Sequence, residues 1–228
     1  EESFERAVDR CRLDRRVLDA LTVPAGDLSN GCAGWVRDIA GARERIGVAI
    51  GKSAITMARG ALIDRGIAVT VYPGAAHGTH PGAGWQLIHA GHPDPDERSV
   101  AAGAAVRELV EQATDEDVVI ALISGGASAL IEQPRVPLDE FRAVIGALIR
   151  AGAPIAEVNT VRSALSEIKG GGLALDCGAR ILTLVASDVI GDALDVVGSG
   201  PTIGPWLETP GAPVDVGAVA ENRRKRAL

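Results

Sequence analysis

The sequence predicts an α/β fold, a Rossmann-like three-layer α/β/α sandwich around a mostly parallel sheet. Three observations carry this expectation. Short apolar runs alternate with helical patterns from about residue 46 onward, the rhythm of βαβ units. Ala, Val, Leu and Ile supply most of the 46% apolar content, and aromatics reach only 3%, which suits strands covered on both faces by helices. The chain also holds 28 glycines, many directly after an apolar run, where tight turns close strands.

Taken in order, residues 3–21 show helical spacing at Phe4, Ala7, Val8, Cys11, Val17, Leu18 and Leu21, ended by Pro24-Ala25-Gly26-Asp27. A glycine-containing connector then runs to about Arg45. Ile46–Ile50 reads as a strand closed by Gly51, and Ser53–Arg65 as a helix. Ile67–Tyr72 reads as a second strand closed by Pro73-Gly74, and residues 73–84 as a loop. Gln86–Ala90 is a short strand, Ser99–Gln112 an amphipathic helix and Asp117–Ile123 the strongest strand pattern in the chain. Phe141–Arg150 and Ile155–Ile168 follow as helices, and Arg180–Ala186 as another buried strand. The organisation expected is residues 1–45 as a helix and connector packing on the domain, 46–204 as the α/β domain, and 205–228 as a linker or tail.

A net charge of -7 and an acidic pI argue against a nucleic-acid or anionic-membrane surface. The basic cluster Arg223-Arg224-Lys225-Arg226 reads as a solvated tail. Cys11, Cys32 and Cys177 are scattered and odd in number, so no disulfide framework is drawn and a reducing compartment is expected. With no apolar run long enough to span a bilayer and no signal-peptide pattern, the chain reads as cytoplasmic.

In an open parallel sheet, ligands bind beyond the C-terminal ends of the strands, so the turns there carry the chemistry. Gly51-Lys52-Ser53 suggests a P-loop, but the required four residues between glycines are missing and Ile46 stands where the first glycine belongs. What remains is either a lysine poised as a point charge for a phosphate or a surface lysine beside a turn. Ser124-Gly125-Gly126-Ala127-Ser128-Ala129 can form an anion nest from hydroxyls and backbone N–H groups, or be plain turn residues. It lacks the second glycine of a Gly-x-Ser-x-Gly nucleophile elbow. Lys169-Gly170-Gly171-Gly172 exceeds what a helix C-cap needs and suggests a flexible phosphate-facing loop. Asp188 and Asp192, after the last strand, can bind Mg²⁺ or accept a hydroxyl proton, or Asp192 can cap a helix. His77/His80 and His89/His92 lack a third ligand, which argues against zinc.

In order, Gly51-Lys52-Ser53-Ala54 with Met57-Ala58, His92-Pro93-Asp94-Pro95-Asp96, Ser124–Leu130, Glu157–Arg162, Leu165–Gly171, Ser187–Asp192 and Ser199-Gly200-Pro201-Thr202 resemble the N-terminal domain of the glycerate 2-kinases. That family is often mislabelled hydroxypyruvate reductase. The resemblance implies ATP and Mg²⁺ used to phosphorylate the 2-hydroxyl of D-glycerate. It implies Lys52 as the lysine that stabilises the transferred phosphoryl, joined by Asp188 and Asp192 as catalytic and metal-binding carboxylates. Ser124, Gly125, Gly126, Ser128, Lys169, Gly170 and Gly171 match cofactor-facing turns, and Asn159, Arg162 and Ser166 match substrate-facing positions. Phosphoryl transfer suits such a set, because it relies on positioning and charge stabilisation.

Three departures from the family pattern stand out. Gly172 replaces a usual Arg or Lys, Ser163-Ala164 replaces a basic or polar pair, and the family's second domain is absent from these residues. The second domain carries the opposite wall of the cleft in the family, including an arginine. An alternative reading is therefore a non-catalytic nucleotide- or sugar-acid-binding remnant that needs a partner domain or chain. An NAD(P)H-dependent reductase is disfavoured, since no Gly-x-Gly-x-x-Gly follows a strand and no acidic residue ends Ile67–Tyr72.

Overall fold

The computed structural model describes residues 12–22, 32–71, 80–187 and 194–204. Five strands, β1 (Arg45–Ile50), β2 (Arg65–Val71), β3 (Trp85–Ala90), β4 (Val118–Ser124) and β5 (Arg180–Ala186), form one sheet in the order β3-β2-β1-β4-β5. Every pairing is parallel. Parallel neighbours need a crossover, and helical segments follow β1, β3 and β4.

The pleat assigns alternate residues to opposite faces. Ile46, Val48 and Ile50 of β1, with Ile67 and Val69 of β2 and Val119, Ala121 and Ile123 of β4, face one side. There they meet Ala102, Val106, Leu109 and Val110 of α4 (Glu97–Glu111), together with α5 (Ala127–Leu130) and α8 (Gly172–Leu175). Ala49, Ala68, Ile120 and Leu122 face the other side, under Val17 and Leu21 of α1 (Leu13–Thr22), Ile39 of α2 (Cys32–Gly41), and Met57 and Ala58 of α3 (Ala54–Arg59). Two apolar cores flank the sheet, so the molecule is an α/β sandwich with helices on both faces. A third cluster, Phe141, Ile145 and Val158, joins α6 (Leu138–Arg150) to α7 (Ile155–Ala164).

The chain builds outward from β1 to β2 and β3, then returns across the opposite face through α4 to β4, on the other side of β1. The strand order therefore reverses between β1 and β4. At such a point the turns after two adjacent strands diverge and open a crevice.

Three elements differ from the sequence expectation, each for a tertiary reason. The connector before Arg45 contains α2, whose helical signal is diluted by Gly34 inside it and Gly41 at its end. Ile39 is buried in the core, and Arg180 lies 4.9 Å from the centroid of the Trp35 ring while pairing with Asp38. The helix expected over Ser53–Arg65 is only α3, because at Gly60 the backbone of α1 crosses so closely that a side chain there would strike the Asp14 carbonyl. The helix expected to Ile168 ends at Ala164, since residues 165–167 turn to pair with 133–135: Arg135 N–H donates to the Leu165 carbonyl (2.8 Å) and Glu167 N–H to the Gln133 carbonyl (2.8 Å). The region 205–228, most of the 73–84 loop and the first eleven residues lie outside the described residues.

Candidate functional site

The crevice between β1 and β4 is lined by the two glycine turns singled out in the sequence, and backbone hydrogen bonds lock them together. Lys52 N–H donates to the Gly125 carbonyl at 2.9 Å, and Ser53 N–H donates to Ser124 Oγ at 3.1 Å. Ser124 is buried, and its hydroxyl in turn donates to the Ile50 carbonyl at 3.4 Å. It is thus a structural clamp between the two strand ends. Gly51 adopts φ +130°, and a Cβ there would lie 2.6 Å from the Ser124 carbonyl oxygen. Only glycine allows both the backbone angle and the approach.

Gly126 adopts φ +87°. A Cβ on it would sit 3.2 Å from Lys52 Cε and 3.2 Å from both Cδ2 and Nε2 of His92. The glycine keeps the spot between the exposed Lys52 stem and the His92 ring free of a side chain, whose Cβ would crowd both. His92, at the start of the turn after β3, is pulled below the ordinary imidazole pKa by burial and by the Lys52 charge, against an opposing pull from Asp94.

A second polar group lies around Ser128, the second residue of α5. Arg162 Nη1 donates to Ser128 Oγ (3.0 Å) and to Asn159 Oδ1 (3.0 Å). Ser199 Oγ lies 2.7 Å from Ser128 Oγ and donates to Asn159 Oδ1 at 3.2 Å. Ser199 holds φ 60°, between Gly198 and Gly200, which are also left-handed. A non-glycine residue there is strained, and its buried hydroxyl bonds help hold it. Burial draws the Arg162 guanidinium below its ordinary pKa, while Glu132 and Asp94 counter that effect. Among the described residues, Arg162 Nε and Nη2 donate to no protein acceptor, so this planar cation keeps donors available for a carboxylate or phosphate.

The Lys169 loop is built differently from the sequence expectation. Lys169 is not a loop cation facing the crevice: its Nζ is buried, 2.8 Å from Glu132 Oε2 and donating to the Ile131 carbonyl at 2.9 Å. Burial lowers the Lys169 pKa and Glu132 raises it. Nor are the glycine N–H groups free for an anion. Gly170 N–H donates to Ser199 O (3.0 Å) and Gly171 N–H to Gly200 O (2.7 Å), so this turn is stitched to the strained 198–200 segment. A side chain at Gly172 would collide with the Glu167 carbonyl, which accounts for glycine at that position. Ser166 is buried as well, donating to Glu132 Oε1 at 2.5 Å and receiving Ile168 and Lys169 N–H, so it organises the loop from inside.

The structure therefore brings Lys52, Gly125 and Gly126 together at the crevice, and sets Ser128, Asn159 and Arg162 as a connected cluster. Ser166 and Lys169 belong to the buried support. Asp188 and Asp192 lie outside the described residues. Glu132, the centre of that support, carries no sequence signal, since a lone glutamate after Leu130-Ile131 looks like any loop residue. Ser199 and His92 fall within motifs noted above, and their exposure to these partners emerges only from the fold. Among the described residues no group of three or more His, Cys, Asp or Glu side chains is arranged to hold a metal ion, and no helix is long and apolar enough to cross a membrane.

Comparison with known proteins gives a consistent result. The family described as "Domain of unknown function (DUF4147)" matches residues 1–214. D-glycerate 2-kinase of Thermotoga maritima is 43% identical over 163 residues, covering 68% of this chain and 38% of that protein. Glycerate 2-kinase of Pyrococcus horikoshii is 38% identical over 167 residues, covering 68% of this chain and 36% of that protein. A crystal structure of glycerate kinase from Thermotoga maritima superposes with a TM-score of 0.66 at 31% identity, covering 99% of this chain and 53% of the other. The chain thus spans well under half the length of these curated relatives and about half of the solved one.

Proposed function

The chain belongs to the DUF4147 family, and on that premise we propose that it provides one wall of a glycerate 2-kinase site, for ATP-dependent phosphorylation of the 2-hydroxyl of D-glycerate. The observation that carries this reading is the cross-bonded pair of turns at the β1/β4 reversal, Gly51-Lys52-Ser53 against Ser124-Gly125-Gly126. The names of the relatives support the substrate and the reaction class.

The residues present suit a polyphosphate. Gly126 leaves its backbone uncovered by a side chain of its own, and Lys52 stands beside it as an exposed cation on a backbone fixed through Gly125. In this reading ATP supplies the phosphoryl group, and Mg²⁺ held by Asp188 and Asp192 adds positive charge. The chain's own contribution is positional and electrostatic. Lys52 offsets charge on the transferring group, and the Ser124–Gly126 turn lets the backbone come close to it. Arg162, oriented by Asn159 and Ser128, holds the carboxylate of the hydroxy acid with its remaining N–H donors. Ser199 keeps Asn159 and Ser128 in register with that guanidinium.

The opposite wall of the cleft comes from further polypeptide, a C-terminal domain or separate chain, as the length of the relatives suggests. That same length favours one second reading: alone, these residues bind nucleotide or sugar acid without turnover. A coupled assay for ADP release with D-glycerate separates the two. Turnover that disappears in Lys52→Ala supports the kinase reading. Absence of turnover, with MgATP still raising the melting temperature, favours the binding reading.

A further inference from the structure

We propose that His92 is a further ligand-contacting residue of the β1/β4 site, bracketing with Lys52 the oxyanion bound over Gly126. The proposal rests on the phosphate reading above and assigns to that site a group whose motif the reading otherwise leaves unused.

The geometry is specific. The point where a Gly126 Cβ would stand is 3.2 Å from His92 Nε2 and 3.2 Å from Lys52 Cε, so ring and lysine stem flank the Gly126 backbone from two different strand ends. Among the described residues no protein group hydrogen-bonds either ring nitrogen, and His92 is exposed towards solvent. The ring is also carried on a fixed turn. Gly91 N–H donates to Asp96 Oδ1 (3.1 Å) and to Ser99 Oγ (3.2 Å), Asp96 N–H donates to Ser99 Oγ (3.1 Å), and Ser99 N–H returns to Asp96 Oδ1 (3.1 Å). This box caps α4 and anchors the backbone on both sides of the His92–Pro95 segment, so the chain that carries the imidazole is already ordered before binding.

The charged groups facing the ring are Lys52, from the turn after β1, and Asp94, on its own turn. Burial and Lys52 together favour the neutral ring, which near neutral pH offers one N–H to an oxyanion. An anion between ring and lysine screens their repulsion and favours the imidazolium. By linkage, binding must then strengthen as pH falls through the imidazole range.

Tripolyphosphate, which carries the phosphate chemistry without base or sugar, is titrated by calorimetry into the wild-type chain, His92→Asn and Lys52→Ala at about pH 6 and pH 8, with MgATP in parallel. Protonation of the ligand is common to all three proteins, so the ratio of affinities isolates the side chain. The expected wild-type to His92→Asn ratio is about 3-fold at pH 8 and about 10-fold or more at pH 6, as a neutral hydrogen bond becomes a charge-assisted one. A ratio near one at both pH values, while Lys52→Ala still weakens binding, overturns the role of His92 alone. Absence of wild-type binding to either ligand overturns the phosphate reading and this proposal with it. Unchanged melting of His92→Asn guards against a folding defect.

Discussion

Replacing Lys169 with methionine tests whether this residue is core support or a ligand-facing cation. In the fold its ammonium is buried, 2.8 Å from Glu132 Oε2, and donates to the Ile131 carbonyl. Glu132 is itself fully buried, with Oε1 bonded by Ser166 Oγ and Gln133 N–H, while Oε2 accepts no hydrogen bond of good geometry among the described residues and rests on the ion pair. Methionine fills the space of the lysine stem but leaves that carboxylate uncompensated and the Ile131 carbonyl without its donor. Breaking a buried pair from one side costs about 3–5 kcal/mol, a large share of the roughly 5–15 kcal/mol that holds a typical domain together. With a urea slope of about 2–3 kcal/mol/M, the midpoint should fall by about 1–2.5 M, followed by circular dichroism. The double variant Glu132→Gln with Lys169→Met removes both charges and should recover at least half of the loss. At temperatures where Lys169→Met stays folded, tripolyphosphate affinity should stay within about 3-fold of wild type. A stability loss below about 1 kcal/mol, accompanied by loss of ligand affinity, would refute the reasoning and return Lys169 to the crevice.

Three smaller expectations follow from single residues. Gly51→Ala forces a Cβ against Ser124 at φ +130° and should cost about 3 kcal/mol or more, whereas Gly152→Ala, at φ +74° with nothing within 4 Å, should cost only about 1 kcal/mol; equal losses by urea unfolding would contradict the close approach. Asp64, hydrogen-bonded by the Arg45 guanidinium and backbone N–H, has its carboxyl pKa drawn from 3.8 to about 2. A lowered acid contributes stability above its unfolded value and loses it as pH falls through the folded one. The stability difference between wild type and Asp64→Asn should thus be below about 1 kcal/mol at neutral pH, since the pair is partly exposed, and should vanish between about pH 4 and pH 2. A difference that persisted at pH 2 would mean another source. Burial pushes the Cys177 thiol up to about 11, so iodoacetamide at pH 8 should label it at least about 100-fold more slowly in the native chain than in urea, as peptide mass spectrometry would measure; equal rates would place the thiol at the surface.

What the sequence disclosed tracks how local each signal is. β4 is apolar from Val118 to Ile123 and β5 is apolar apart from Arg180 and Thr183, and their structural limits differ from the expected ones by a residue at most. The crevice was legible because Gly51 and Gly125-Gly126 punctuate strand ends directly. Long-range contacts were not. Nothing local marks α2, whose Ile39 is buried against α1 and α3, and nothing at Gly60 announces the crossing of α1. Lys169 was misplaced for the same reason: lysine beside three glycines looks solvent-facing until Glu132, 37 positions earlier in the chain, is folded onto it. The Ser128–Asn159–Arg162–Ser199 cluster draws on three separate segments, with only Asn159 and Arg162 sharing a helix, so in the sequence its parts stand far apart. Their hydrogen bonds to one another become visible only in the fold.

The central claim is that Lys52, fixed on the turn between β1 and α3, is the phosphate-facing charge of this domain. Calorimetric titration of MgATP into the wild-type chain and Lys52→Ala tests it most directly, with urea unfolding of both as the control. Because Lys52 is exposed and its fixed contact is made by its backbone N–H, the variant should unfold within about 0.5 kcal/mol of wild type. It should bind MgATP at least about 10-fold more weakly, the loss of one charge-assisted contact. Equal affinity in two equally stable proteins would contradict the account.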